Sequence, residues 1–229
     1  MSDSSCWLPL ESDSEIWQSY LECLGVKNDS LQFIELYSLD YDSLKQTSEE
    51  YPNIFGCIFL YPDISTKQQE KDENDLKFDV WFLKQINTLG NACGLIALLH
   101  CLGNNLNRID LIPTSLLSNF FSKTSKCKSG IERANVLVND ENIRSCHVKY
   151  AQRGSTEAQN DHVEFHYVAY TIVNNSLVEL DGCKEKPYII CQNLKDKNKF
   201  LIEVGDIVKN KVNEMNGDIR FSLIALATK

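Results

Sequence analysis

A thiol, an imidazole and a carboxylate together can carry out acyl transfer, and three positions in this chain supply them in settings that suit the chemistry. Cys93 stands near the head of Asn91-Ala92-Cys93-Gly94-Leu95-Ile96-Ala97-Leu98-Leu99-His100-Cys101-Leu102, an almost entirely apolar run that predicts a buried helix with Asn91 as its cap. Backbone N–H groups and the dipole at a helix start favour a thiolate, and no other cysteine in the chain has that placement. Gly94 removes side-chain bulk, so a substrate carbonyl could approach the sulfur closely. Taken alone, a cysteine inside an apolar helix is more often a packing residue.

The second and third groups come from a predicted hairpin. Residues 165–173 alternate as a strand, Asn174-Asn175 is a turn signal, and residues 177–180 alternate back. Such a hairpin pairs Val173 with Ser176 and, in step, sets Asp181 across from Val168. His166 and Val168 share a face, so Asp181 and His166 become diagonal neighbours, and a slip of two would make them directly opposite. A carboxylate on one imidazole nitrogen fixes the tautomer and leaves the other nitrogen to take a thiol proton. The plainer alternative is a buried His–Asp bond that only supports the sheet. Gln85, at the end of a predicted strand over 79–84 and eight residues before Cys93, has an amide that could donate to an oxyanion.

These groups need a rigid frame, and the composition provides for one. With 43% hydrophobic and 24% charged residues in 229, the chain is expected to form one globular domain over residues 1–229 with a sizeable core, not a disordered chain. Its formal charge of −9 argues against sequence-independent nucleic-acid binding and suits a basic partner. No apolar run approaches a membrane span, and Met1-Ser2-Asp3-Ser4-Ser5 lacks the basic start of a signal peptide. No membrane association is expected, and the expected location is the cytoplasm, with the nucleus as a second possibility. The nine cysteines are odd in number and irregular in spacing, which reads as reduced thiols and not a disulfide framework. Only His162 and His166 have metal-ligand spacing, and a strand would hold them apart; neither a metal nor a cofactor is expected.

The frame itself is mixed. Ser12-Asp13-Ser14-Glu15 has the form of a capping box for a helix over 13–25, ended by Gly25. Strands are predicted over 31–37 and 54–61 with a short helix over 40–46 between them, helices over 113–121, 130–138 and 204–212, and strands over 187–191 and 220–226. Residues 67–75 carry no apolar side chain and read as a solvated loop. Residues 142–161 are polar and weakly periodic, a loop long enough to suggest function. The fold class is therefore α/β in the α+β sense, a single domain with a central, mostly antiparallel sheet flanked by helices.

Trp7-Leu8-Pro9-Leu10-Glu11, Val80-Trp81-Phe82-Leu83-Lys84-Gln85, Asn91-Ala92-Cys93-Gly94, Glu164-Phe165-His166 and Glu179-Leu180-Asp181-Gly182 together resemble the short, single-domain ubiquitin carboxyl-terminal hydrolases. The likeness extends to Arg220-Phe221-Ser222-Leu223-Ile224-Ala225-Leu226 and so covers nearly the whole chain. The resemblance implies a papain-like cysteine protease that cleaves adducts from the C-terminal glycine of ubiquitin through a thioester. In it Cys93 matches the nucleophile, His166 the base, Asp181 the residue that orients it, and Gln85 the oxyanion donor. The family separates that glutamine from the nucleophile by six residues, against eight here, so strict counting would choose Asn87; the continuous match of residues 80–85 favours Gln85. The resemblance also implies an active-site crossover loop over about residues 146–163 and small or unfolded leaving groups. It implies substrate contacts from Trp7, Pro9, Leu10, Glu11 and Asn91. Ubiquitin is the implied partner, with a closely related ubiquitin-like modifier as a further one, and the protein is expected to act as a monomer. The alternative is a ubiquitin-binding module with weak or no turnover, because the two extra residues before Cys93 could displace the oxyanion donor.

Overall fold

Among the described residues, alternating apolar residues of β-branched and aromatic type build six strands: β1 (Leu31–Glu35), β2 (Ile54–Pro62), β3 (Phe165–Val173), β4 (Ser176–Leu180), β5 (Tyr188–Cys191) and β6 (Ser222–Thr228). They form one sheet in the order β1-β6-β2-β3-β4-β5, and every adjacent pair is antiparallel. The computed structural model describes residues 7–62, 78–154, 165–194, 196, 199–215 and 217–229. The expected charged loop over 67–75 lies outside the described residues, as does His162.

Strand alternation sends successive side chains to two separate cores. Tyr167 and Ala169 of β3 face a larger core, while Val168 and Tyr170 face a smaller one. On the larger side lie α1 (Ser14–Leu24), α3 (Cys93–Gly103), α4 (Leu116–Thr124), α5 (Gly130–Val138) and α6 (Glu141–Ala151). On the smaller side lie α2 (Tyr41–Glu50) and α7 (Phe200–Glu214). A register shift between Ile54 and Gly56 changes the parity of that alternation in β2: Phe55 and Ile58 both enter the larger core, and Ile54, Cys57 and Phe59 the smaller. Because α3 is enclosed on all sides, every residue from Cys93 to Leu102 is buried and the helix needs no polar face.

Several boundaries differ from the sequence reading. Asp13, not Ser12, caps α1, its Oδ1 accepting from the Ile16 N–H at 2.8 Å, and Gly25 ends the helix at φ 98°. The helix predicted over 40–46 continues to Glu50, and the one predicted over 204–212 begins at Phe200. Residues 141–151, expected to open a long loop, form α6. Its cap is Asp140, and its buried face is Ile143, Cys146, His147 and Tyr150. The helical spacing was masked because that face includes a histidine and a cysteine. The described part of the expected crossover segment is therefore helical as far as Ala151, and residues 155–164 lie outside the described residues.

The expectation that all cysteines are reduced fails for one pair. Cys23 on α1 and Cys146 on α6 form a disulfide, with Cα atoms 6.7 Å apart, within the usual bridging range. Their separation of 123 residues hides this from sequence spacing, because it depends on α1 and α6 packing side by side.

Candidate active site

The hairpin delivers the imidazole and the carboxylate as its sequence predicts. Asn174 and Asn175 adopt φ of 48° and 57°, the left-handed pair that closes a two-residue turn, and the ladder runs from Val173↔Ser176 to Ala169↔Leu180. Asp181 then follows across from Val168, and its Oδ1 lies 2.8 Å from His166 Nε2. The same oxygen accepts the Cys183 N–H at 2.9 Å, which fixes the carboxylate. Tyr61, paired with His166 across β2 and β3, sets its ring edge-on to the imidazole at 5.9 Å. Burial alone would lower the pKa of His166, but the Asp181 hydrogen bond, a hydrogen-bonding interaction with Cys93 and their charges outweigh it and hold it well above its ordinary value. Burial likewise favours neutral Asp181, yet its bonds to His166 and Cys183 and the charge of Lys211 on α7 bring its pKa below the ordinary carboxylate value.

The thiol comes from the other side. Cys93 is the first residue of α3, buried to 6% exposure, with Ala92 in the cap position and no side chain capping the helix. Asn91 is therefore not the cap that its sequence position suggests, and the first-turn N–H groups are not claimed by a side chain. Gly94 has a packing reason for lacking a side chain: a Cβ there would lie 3.3 Å from the Tyr167 ring and 3.4 Å from Leu10. With Asp181 on Nε2, the remaining imidazole nitrogen of His166 is the one available to Cys93.

Residues 79–84 are not a strand. Several of their main-chain groups are met by side chains and distant carbonyls in place of a ladder. Asn104 at the end of α3 accepts from the Trp81 N–H and donates to the Trp81 carbonyl, both at 2.8 Å, as a neighbouring peptide would. His100 Nε2 sits 3.1 Å from both the N–H and the carbonyl of Leu83, its ring stacked on Phe82 at 5.1 Å. Arg133 donates to the Phe82 carbonyl, the Lys84 N–H reaches Gly130, and the Gln85 N–H reaches the carbonyl of Gly182, next to Asp181. Gln85 is thus anchored beside the carboxylate. Its amide Nε2 donates to the Gly90 carbonyl at 2.7 Å, and its Oε1 is buried without a partner. Between Gln85 and Cys93 the chain makes a 3-10 turn, Asn87–Leu89, on which Asn87 is exposed.

The N-terminal segment packs against this assembly. Trp7 and Leu10 are buried, the Trp7 ring lying 5.3 Å from His147. His147 Nε2 lies 2.7 Å from the Leu8 carbonyl, and Tyr167 donates to the Leu10 carbonyl at 2.9 Å. Trp7 and Leu10 thus spend their side chains on the core, while Pro9, Glu11 and Asn91 are half-buried.

Sequence reasoning missed His100, Asn104 and Arg133 as supports of the Gln85 segment. A signal was present for the first two: a histidine and an asparagine four residues apart on an otherwise apolar helix must find polar partners when buried. Lys211 was missed because it lies far along the chain, on α7, where it pairs with Glu179 at 3.2 Å behind the His–Asp couple. Among the described residues, one group of potential metal ligands converges, His166, Asp181 and Cys183, whose ligand atoms all lie within 4.8 Å of one another.

Comparison with known proteins shows the family to which the chain is similar. Residues 7–213 match the model of ubiquitin carboxyl-terminal hydrolase, family 1. Ubiquitin carboxyl-terminal hydrolase 3 of Arabidopsis thaliana is 32% identical over 100% of this chain and 97% of its own length. Ubiquitin carboxyl-terminal hydrolase 2 of Schizosaccharomyces pombe is 34% identical over 96% of this chain and 72% of its own. Among solved structures, the catalytic domain of Trichinella spiralis UCH37, crystallised with ubiquitin vinyl methyl ester, superposes with a TM-score of 0.79 at 27% identity. That match covers 100% of this chain and 99% of the other.

Proposed function

The chain belongs to ubiquitin carboxyl-terminal hydrolase family 1, a family of cysteine peptidases, and from that premise we propose that it cleaves adducts from the C-terminal glycine of ubiquitin. The observation that carries the reading is the 2.8 Å bond between His166 Nε2 and Asp181, with Cys93 at an uncapped helix start among the groups that raise the imidazole's pKa. In the proposed reaction His166 takes the proton of Cys93, and Asp181 stabilises the resulting imidazolium. The thiolate attacks the glycine carbonyl, and the oxyanion receives the Cys93 N–H and the Gln85 amide. His166 then protonates the leaving amine, and water hydrolyses the thioester.

Gln85 is the proposed donor in place of Asn87 because it is anchored beside Asp181, whereas Asn87 is exposed. To donate, the Gln85 amide must exchange the Gly90 carbonyl for the oxyanion, a rotation its unpartnered Oε1 favours. Pro9 and Glu11 are the proposed contacts for the ubiquitin tail, with Trp7 and Leu10 holding their segment in place. Asn91, half-buried two residues before Cys93, is a further proposed contact. The net charge of −9 suits the basic surface around that tail and would speed encounter. Small or unfolded adducts are the proposed leaving groups, and a related ubiquitin-like modifier is a second proposed substrate.

A second reading has its own observation: the Gln85 amide is engaged by Gly90, so a protein unable to release it would bind ubiquitin without turnover. Ubiquitin bearing a C-terminal fluorogenic amide separates the two. Turnover by the native protein, abolished in Cys93→Ala and weaker when ubiquitin is fused to a stable folded protein, is the expected result. Folded native protein that binds ubiquitin but releases no fluorophore would establish the binding module instead.

A further inference from the structure

We propose that His166, Asp181 and the thiol of Cys183 form a site for a thiophilic divalent cation of the zinc type, and that its occupation switches the enzyme off. The proposal rests on the reading of His166 and Asp181 as base and orienting carboxylate. Three chemically different ligand atoms, an imidazole nitrogen, a carboxylate oxygen and a thiol sulfur, lie within 4.8 Å of one another. That mixture matches zinc, which accepts N, O and S ligands, and excludes magnesium and calcium, which prefer oxygen alone. The His166 Nε2 to Asp181 Oδ1 distance of 2.8 Å is already near the roughly 3.4 Å edge of a tetrahedron with zinc-like bond lengths.

Cys183 reaches the pair because the chain turns sharply after β4. Its own N–H is held by Asp181 Oδ1, and the Lys184 N–H returns to the Asp181 carbonyl at 2.9 Å. The turn leaves Cys183 exposed beside the buried pair, on the side from which a cation would enter. Three protein ligands leave the fourth position to a water.

Occupation is a ligand exchange without redox chemistry. The cation takes the Nε2 lone pair in place of the proton shared with Asp181, the imidazole stays neutral by carrying its one proton on Nδ1, and the Cys183 sulfur binds as thiolate. One proton, that of the Cys183 thiol, leaves to solvent. With Nε2 on a dication and Nδ1 already protonated, the imidazole cannot accept the proton of Cys93, so the base is lost while the nucleophile stays untouched.

The test uses the full chain with metal alone and then with substrate. Cobalt(II) added to the native protein should produce a thiolate-to-metal charge-transfer band that persists in Cys93→Ala and disappears in Cys183→Ala. Zinc should inhibit turnover reversibly, with a chelator restoring the rate. Cys183→Ala, compared with its own metal-free rate, should need at least roughly 10-fold more zinc for the same inhibition. A band lost in Cys93→Ala and kept in Cys183→Ala would place the metal on the nucleophile and overturn the proposal, as would equal zinc sensitivity of native protein and Cys183→Ala. A native protein that shows the Cys183-dependent band yet hydrolyses no ubiquitin amide would sink the hydrolase reading while leaving the metal site standing.

Discussion

On one wall of the site, β3 holds His166 on a rung with Tyr61 of β2, and Asp181 directly follows β4, whose ladder with β3 ends one residue before the carboxylate. On the opposite wall, Gln85 hangs from a segment whose backbone is answered piecemeal by Asn104, His100, Arg133 and two remote carbonyls. The first wall is held by repetition, so one lost bond leaves its neighbours in place. The second is held by single contacts, each from a different part of the chain, so one lost side chain orphans a particular backbone group. Chemistry that needs a fixed base therefore sits on the ladder. The donor, which must rotate from Gly90 to meet an oxyanion, sits on the wall with more individual freedom.

The sharpest break in this comparison is Asp181→Asn, which keeps the shape of the ladder wall and removes its charge. Turnover should fall by about 10³–10⁴-fold, with the amide holding the imidazole in an unsuitable tautomer. His166 should also titrate at lower pH in a histidine NMR titration, because the carboxylate that helps to raise its pKa is gone. The sign follows from the two shifts. His166 is raised, so its contribution to stability is complete below the ordinary histidine range and is lost as pH rises through the raised value. Asp181 is lowered, so its contribution is present above the ordinary carboxylate range and is lost as pH falls through the lowered value. An unchanged His166 titration in Asp181→Asn would mean that the carboxylate does not set the base.

Next in size is the donor on the irregular wall. Gln85→Ala should lower kcat by about 100–1,000-fold with little change in thermal stability, while Asn87→Ala should leave kcat as it was. The reverse pattern would move the oxyanion donor to the exposed 3-10 turn. The smallest effect tests the support. Asn104→Ala leaves the Trp81 N–H and carbonyl without their partner, and urea unfolding should show a loss of about 1–3 kcal/mol. A loss of kcat in Asn104→Ala larger than the loss of stability would mean that the segment also controls where Gln85 points.

The same contrast explains what could be read from the chain. The hairpin was legible to the residue, because alternation, an Asn-Asn turn and parity together fix which side chains meet. Residues 79–84 have a strand's composition, and nothing local reveals that their partners are side chains of a helix some twenty residues later and not another strand. Asn91 shows how a favoured cap residue in the right neighbourhood can still stand one position too early, since Ala92 takes the cap position of α3. The Cys23–Cys146 bridge and the Lys211 support depend on which helices lie side by side, information held in the packing of distant apolar faces and not in any spacing.

The strand order carries a consequence for synthesis. β6 lies between β1 and β2, so these two strands, adjacent in sequence and made early, are not joined in the sheet until residues 222–228 arrive to pair with both. At translation speeds of roughly 5–20 residues per second, the interval between finishing β2 at Pro62 and starting β6 at Ser222 lasts about 10–30 s. For that time two apolar strand edges are exposed on the ribosome, and a nascent chain stopped short of β6 would be a substrate for chaperones and degradation, the same quality-control traffic that its finished form is proposed to edit.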